Sequence, residues 1–382
     1  MTTLLLAGGG SGGHVFPMLA VADAVRALLP SARLVFVGTD KGMETKLVPQ
    51  RGYELELIEV RPIRGGGLSG ALRGIGRAVG AIPDARNIVA RAAPAAVFSI
   101  GGYAAGPVAL AARTLGIPLA LMEPNAEAGL SNRLIAPFVQ RAYIAFSESQ
   151  RYFKPAITLQ TGVPLRAGFE PVPYVAPRGR FEVLVLGGSQ GAKSLNEAVP
   201  RALSHLGDTV HVVHQCGRAH EQAARALYDE LGFGSRAHIA PFIDDMPAAL
   251  AAADLVIGRA GAGAVAEICA VGRPSLLVPY PFAGDHQKLN ADSITKEGAA
   301  LWVPSAEATP VRLATELRAL MDQPERLSTM AATARRLGRP HAAQTIAQDL
   351  LQLAGVSSEL PTANCQLPTP EENGFVRLTE VA

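Results

Sequence analysis

The sequence predicts an α/β protein built on two parallel sheets, and three observations carry that expectation. Short runs rich in Val, Leu and Ile alternate with longer stretches at helical period along most of the chain. The short runs are continuously apolar, as strands buried on both faces of a parallel sheet require. A strand–glycine–helix unit opens the chain, LLLAGGGSGGHVFPMLAVADAVRALL, and a second, VLVLGGSQGAKSLNEAV, begins at Val183. Two such units within 382 residues indicate two Rossmann-like domains whose strand ends face one interdomain cleft.

In the first half, strands are expected at 4–7, 33–38, 96–100, 118–123 and 142–146, with 55–60 a further candidate. In the second half they are expected at 182–188, 209–215, 254–258 and 274–279. The helix after the first loop carries Val15, Met18, Leu19, Ala22, Val25 and Leu29 at three- and four-residue spacing, a buried face. Pro17 is read as a first-turn proline, where a missing N–H costs nothing. The linker is placed in PVPYVAPRGR at 171–180. The division is a first domain at 1–165 and a second at 166–356, with its last helix a candidate to pack back on the first. Residues 357–382 have scattered prolines, mixed charge and no sustained period, and are read as a disordered tail.

Net charge is only +2, but residues 1–165 hold 16 Lys/Arg against 10 Asp/Glu while the remainder holds 19 against 23. A basic first half favours an anionic partner such as a phosphate or a lipid surface; an uneven but solvated surface is the plain alternative. Nothing in the composition points to nucleic acid. The three cysteines, Cys216, Cys269 and Cys365, are too far apart for a metal site and read as buried thiols of a reducing compartment. No secretory signal is recognised. The uncharged run from Ala92 to Ala112 reaches spanning length, but Pro94, Gly101, Gly102, Gly106 and Pro107 break it into a strand, a loop and a helix start. A cytoplasmic protein without a transmembrane segment is expected.

A glycine loop between a parallel strand and a helix lets backbone N–H groups approach an anion, with the helix dipole behind them. GGGSGG alone could equally be a tight turn. It is not a clean G-x-G-x-x-G, no G-K-[ST] follows, and Asp40 is the nearest acidic candidate after the second strand. Three more loops strengthen the case: GGYAAGP at 101–107, GGSQGAKSLN at 187–196 and RAGAGAVAEICAVGRP at 259–274. His14 closes the first loop; such a histidine could act as a base, hold a phosphate or cap local backbone.

With these motifs in order, together with MEPNAEAGLSNRL, TGVPLR and GDHQKLNA, the chain resembles the MurG family of peptidoglycan N-acetylglucosaminyltransferases, which convert lipid I to lipid II. The resemblance spans roughly residues 4–350 and implies a GT-B fold. It implies UDP-N-acetylglucosamine (UDP-GlcNAc) bound mainly by the second domain and lipid I by the first. Carried over residue by residue, it puts Ser11, Gly12, Gly13, Asn125, Arg166, Ser189, Ile243, Gln287 and the run Ala262, Gly263, Ala264, Val265, Ala266 and Glu267 at the donor. Within this set Ile243 meets uracil through its backbone, Glu267 the ribose hydroxyls, and Gln287 and Asn125 the sugar. Tyr103, Asn132 and Asn196 fall on the acceptor side. His14 is the candidate base and Glu123 its rival. No cofactor and no metal are implied, since helix N-termini and backbone donors serve the diphosphate; Asp244 and Asp245 lack Asp-x-Asp spacing. Direct displacement at the anomeric carbon would invert it.

The stretch at 61–86 interleaves arginines with apolar residues. Leu72, Ile75, Val79 and Ile82 share a helical face beside Arg73 and Arg77. An ordinary helix packed on the sheet would show the same pattern. The resemblance, which places a hydrophobic-basic patch on this domain, favours a peripheral element on the cytoplasmic face of an anionic membrane. It also implies cell-wall synthesis and division proteins as partners. Two positions depart from the family pattern: Val163 stands where Asn is common and Pro124 where Gln is common. The rivals are a UDP-sugar transferase acting on diacylglycerol, a nicotinamide dehydrogenase, and a UDP-sugar epimerase of the same shape.

Overall fold

The computed structural model describes residues 1–10, 12–40, 42–59, 80–102, 104–177, 179–188, 190–281 and 285–356. It contains two parallel sheets. The first has seven strands: β1 (Thr3–Ala7), β2 (Arg33–Thr39), β3 (Glu54–Ile58), β4 (Ala96–Ser99), β5 (Leu119–Glu123), β6 (Arg141–Ile144) and β7 (Thr158–Gln160), in the order β3-β2-β1-β4-β5-β6-β7. The second has six: β8 (Phe181–Leu186), β9 (Val210–Gln215), β10 (Ala237–Ala240), β11 (Leu255–Gly258), β12 (Ser275–Leu277) and β13 (Ala300–Trp302), in the order β10-β9-β8-β11-β12-β13. These are two Rossmann-like sheets, and their pairing is the GT-B architecture.

Burial explains the continuous apolar runs. Along β1, Leu4 and Leu6 enter one apolar cluster while Leu5 and Ala7 enter another on the opposite face, and all four are fully buried. The first helix, α1 (Gly12–Leu28), buries Val15, Met18, Leu19, Ala22 and Val25. It ends before Leu29, which is only half-buried. Pro17 is a correction: because the helix already starts at Gly12, Pro17 is buried within its second turn rather than in the first.

β7, β10 and β13 were not foreseen. All three are edge strands of three or four residues, and an edge carries no requirement for a long apolar run. The uncharged run at 92–112 divides into β4 and a helix over Ala105–Thr114. No helix among the described residues is long and apolar enough to cross a membrane. Cys216 and Cys269 are buried free thiols; Cys365 and the tail at 357–382 lie outside the described residues.

The helix Ala342–Leu353 packs against α1. Its Asp349 accepts hydrogen bonds from Tyr143 (2.7 Å) and Arg141 (3.1 Å) on β6 of the first sheet. The chain therefore crosses between lobes twice, once after β7 and once before this helix. The crossings touch at Gly162 (φ +83°), where an added Cβ would stand 2.5 Å from the Arg339 Cβ. Downstream of that point, Val172 N donates to Val271 O (3.1 Å) and pins the linker to the second lobe.

Candidate active site

In each sheet the strand order reverses, between β1 and β4 and between β8 and β11. A crevice forms outside the strand ends at such a switch point. Here the two crevices face one cleft of about 1400 Å³, lined from the first lobe by Gly12, Gly13, Gly101 and Gly102 and from the second by Gly187, Gly188, Gly261 and Gly263. The glycine loops keep side chains out of the places where a ligand must approach backbone.

On the first-lobe wall, His14 Nδ1 lies 3.1 Å from Gly9 O. A carbonyl only accepts, so Nδ1 carries a proton, and in the neutral ring Nε2 then keeps the lone pair. The loop beneath is held by a group that sequence reasoning missed. Glu44 is 1% exposed. Its carboxylate accepts from Gly10 N (2.9 Å), Thr39 N (2.9 Å) and Thr39 Oγ1 (3.0 Å). Gly9, Gly38 and Gly42 form its cradle, where a Cβ would come within 2.1, 2.5 and 1.9 Å of Glu44 atoms. A glutamate opening a short helix (Glu44–Gln50) has no spacing signature that reveals such a role.

Glu123 is likewise 1% exposed. Oε1 accepts from Asn125 N (2.9 Å) and Asn125 Nδ2 (3.2 Å), and Oε2 from Gly129 N (3.0 Å) and Asn132 Nδ2 (2.7 Å). Both oxygens are occupied in shaping the 124–129 loop. Asn132 lines the cleft, is 3% exposed, and its Oδ1 has no hydrogen-bond partner. Such an acceptor is open to a donor from water or from a bound ligand.

On the second-lobe wall, α9 names the helix Ala262–Val271, the ninth among the described residues. Its N-cap, Gly261, has extended backbone and no side-chain cap. The first-turn amides of Ala262, Gly263 and Ala264 therefore open on the cleft with the helix dipole behind them. Glu267 follows one turn later and also lines the cleft. Burial raises its carboxyl to about 7, and the charge of Arg166 pulls the other way. Arg166 lies over the Phe169 ring, 5.6 Å from its centroid. Ile243 lines the cleft, but its N–H donates to Gln215 Oε1 (3.1 Å), and Gln215 Nε2 donates to Gly188 O (3.1 Å). Gln287 Oε1 accepts from Tyr280 N (2.9 Å), which leaves its NH2 donors uncommitted.

One buried side chain ties the walls together. Asn290 is 0% exposed. Its Oδ1 accepts from Ala126 N (2.9 Å), and its Nδ2 donates to Asn125 Oδ1 (3.2 Å) and to Ala260 O (3.1 Å), two residues before α9. His286 Nδ1 adds a bond to Glu127 O (3.0 Å). Asn290 stands within the GDHQKLNA motif but drew no assignment, because its partners are remote in sequence.

Several expected residues fall elsewhere. Asn196, expected on the acceptor side, is inside the second lobe: its Nδ2 donates to Cys216 O (2.9 Å) and its Oδ1 meets His214 Nε2 (3.0 Å). It follows a glycine loop, but the helix turns its side chain into the core. Val265 and Ala266 line a separate cavity on the far side of α9, because only one face of a helix can meet the cleft. Val163 and Pro124 line the cleft as apolar wall. Asp245 caps a helix by accepting from Ala248 N (3.1 Å). Ile82 begins the helix Ile82–Ala92 and is half-buried. Ser11, Tyr103, Ser189, Leu72, Arg73, Ile75, Arg77 and Val79 lie outside the described residues. Among the described residues no group of three or more His, Cys, Asp or Glu could hold a metal.

Comparison with known proteins agrees with the two-domain fold. The glycosyltransferase family 28 N-terminal domain matches residues 4–144 and the family's C-terminal domain residues 182–347. A relative from Sorangium cellulosum is named UDP-N-acetylglucosamine--N-acetylmuramyl-(pentapeptide) pyrophosphoryl-undecaprenol N-acetylglucosamine transferase. It is 52% identical over 360 residues, 93% of this chain and 89% of its own length. A relative from Anaeromyxobacter dehalogenans with the same name is 43% identical over 357 residues, 92% of each chain. The crystal structure of Acinetobacter baumannii MurG superposes with a TM-score of 0.75 at 32% identity, covering 92% of this chain and all of that one. With both family domains in order and that identity over nearly the whole length, the chain belongs to glycosyltransferase family 28, among the MurG enzymes.

Proposed function

We propose that this protein transfers N-acetylglucosamine from UDP-GlcNAc to the C4 hydroxyl of the muramoyl sugar of lipid I, inverting the anomeric carbon and giving lipid II. The observation that carries the reading is the cleft itself: an uncapped helix N-terminus with Glu267 one turn along it faces a histidine whose Nε2 is free.

Uridine diphosphate lies along the second lobe. Ile243 meets uracil, and its carbonyl is the group left for the purpose while Gln215 holds its N–H. Glu267 accepts from both ribose hydroxyls. The amides of Gly263 and Ala264 and the dipole of α9 take the charge that develops on the leaving diphosphate. Gln287 and Asn125 orient the sugar. On the opposite wall His14 Nε2 accepts the proton of the attacking hydroxyl, and the Nδ1 bond to Gly9 O stabilises the imidazolium that forms. Glu123 is the clamp of the 124–129 loop, with its lone pairs engaged, rather than the base. Asn132 Oδ1 receives a donor from the acceptor. The enzyme works as a peripheral protein on the cytoplasmic face of the membrane, where its acceptor resides.

Transfer of labelled GlcNAc from UDP-GlcNAc to a lipid I analogue is the test, with a disaccharide product expected. Consumption of UDP-GlcNAc without acceptor, or transfer to diacylglycerol but not to lipid I, would replace this reading.

The raised carboxyl of Glu267 gives a pH prediction. Only the carboxylate can accept two hydrogen bonds without competing for a proton. Affinity for uridine, which has no phosphate to titrate, is expected to fall about tenfold per pH unit below 7 and to be flat above it. The stability sign is the reverse. The unfolded chain releases this proton near 4.5 and the folded one near 7, so folded-state advantage is lost as pH rises through that window. Glu267→Gln is expected to weaken uridine binding, to remove its pH dependence, and to stabilise the fold by about 1–3 kcal/mol at pH 8 with much less gain at pH 5. Calorimetric titration and denaturant unfolding at the two pH values check it.

A further inference from the structure

The short helix Leu130–Ile135 buries Ile135 in the apolar core but leaves two leucines outside it. Its Asn132 is 3% exposed, while Leu130 is 64% and Leu134 58% exposed. Polar residues fasten it alongside Ile135. Ser131 Oγ donates to Gly102 O (3.3 Å), Asn132 Nδ2 to Met122 O (3.1 Å) and Arg133 Nε to Ala128 O (2.7 Å). These bonds fix the helix in an orientation that puts two leucines, one turn apart, into water. Folding gains nothing from leaving them exposed, and two exposed leucines one turn apart at the edge of a cleft are suited to an apolar ligand.

The exposed pair is continuous with the cleft. Leu130 and Leu134 belong to its lining, together with Leu110 and Pro107 on the adjacent helix Ala105–Thr114 and Phe16 and Pro17 on α1. An apolar track thus runs from the His14 and Asn132 wall out to open surface. The acceptor named for the relatives is a pyrophosphoryl-undecaprenol, in which a wholly apolar chain begins one diphosphate away from the reacting sugar. A headgroup seated at His14 must send that chain out along the first-lobe wall.

We propose that Leu130 and Leu134 form the exit track for the isoprenoid chain of the acceptor, contacting units beyond the first two from its diphosphate. The proposal rests on the transfer reaction above and names a surface for the part of the substrate that reaction leaves unreacted. The track recognises hydrocarbon by burial alone, so its contribution scales with the chain length in contact.

The test compares Leu130→Gln/Leu134→Gln with the native protein on two acceptors sharing one headgroup, undecaprenyl and a two-isoprene chain, both in detergent. The expected result is a rise of tenfold or more in KM for the undecaprenyl acceptor. KM for the two-isoprene acceptor and for UDP-GlcNAc should change less than twofold, and those unchanged values also report an intact fold. Leu130→Met/Leu134→Met should restore the undecaprenyl KM. Unchanged KM on the long chain would overturn the proposal. So would an equal rise on both acceptors, which would place the leucines at the headgroup. A parallel loss of sedimentation with acceptor-free phosphatidylglycerol vesicles would assign the pair to the bilayer instead and overturn it too. Absence of transfer by the native protein to either acceptor would strike the function reading, a result distinguishable from all of these.

Discussion

His14→Ala is expected to lower kcat by about 10²–10⁴-fold while UDP-GlcNAc binds within about twofold of the native affinity. The split follows from placement. His14 stands on the first-lobe wall with its Nδ1 proton committed to Gly9 O, and the groups assigned to the donor stand mostly on the other wall. The loss is then confined to the step in which a hydroxyl must shed its proton. The variant should not disturb the loop, because Gly10 is independently fastened by Glu44 (2.9 Å) and Met43 N donates to Gly10 O (3.3 Å). Single-turnover assays with calorimetric binding separate the two quantities, and added imidazole should restore part of the rate. Near-normal turnover in the alanine variant would remove His14 from the chemistry.

Arg273→Met should destabilise the second lobe by about 3–5 kcal/mol, because it strips buried carbonyls of their hydrogen-bond donor. Arg273 is 2% exposed. Its guanidinium donates to Leu250 O (3.0 Å), Ala251 O (2.6 Å), Val172 O (3.0 Å) and Gly272 O (3.1 Å), and lies 5.6 Å from the Tyr174 ring centroid. Burial lowers its pKa from the ordinary arginine value, with Tyr174 and Asp254 opposing. Two of the four carbonyls end the helix Met246–Ala252 and a third belongs to the linker. Methionine fills much of the volume but donates to none of them; Leu250 O keeps its bond from Ala253 N (3.1 Å), the other three lose the guanidinium donor, and each unsatisfied buried acceptor costs about 1–3 kcal/mol. The check is a lower denaturant midpoint with an unchanged slope in the second-lobe transition. A midpoint equal to that of the native protein would show that water replaces the guanidinium at no cost.

What the sequence revealed and what it concealed divide along physical lines. Central strands were legible because both of their faces are buried, so most of their residues are apolar; β7, β10 and β13 were not, because an edge makes no such demand. The glycine loops were legible as backbone-approach sites, and Glu267 and Gln287 do stand at the cleft. Which side of an element faces the cleft was not legible. Asn196 and Val265 follow glycine loops as closely as the residues that reach the site, but helix rotation turns them away. Hydrogen-bond occupancy was invisible as well. Glu123 reads as a plausible base until its four donors are counted, and Glu44, Gln215 and Asn290 act through partners that no spacing rule connects.

The double crossing of the chain has a consequence for any attempt to divide this protein. A gene cut at the proline-rich linker would give a first half lacking Ala342–Leu353, the helix that covers α1 and bonds to Arg141 and Tyr143. That half would expose the surface the missing helix normally shields, and the other half would trail an unpaired apolar segment. Swinging of one lobe on the other is constrained in the same way. Two neighbouring covalent pins, in contact at Gly162 and Arg339, permit rotation about the line through them and resist both twisting and separation.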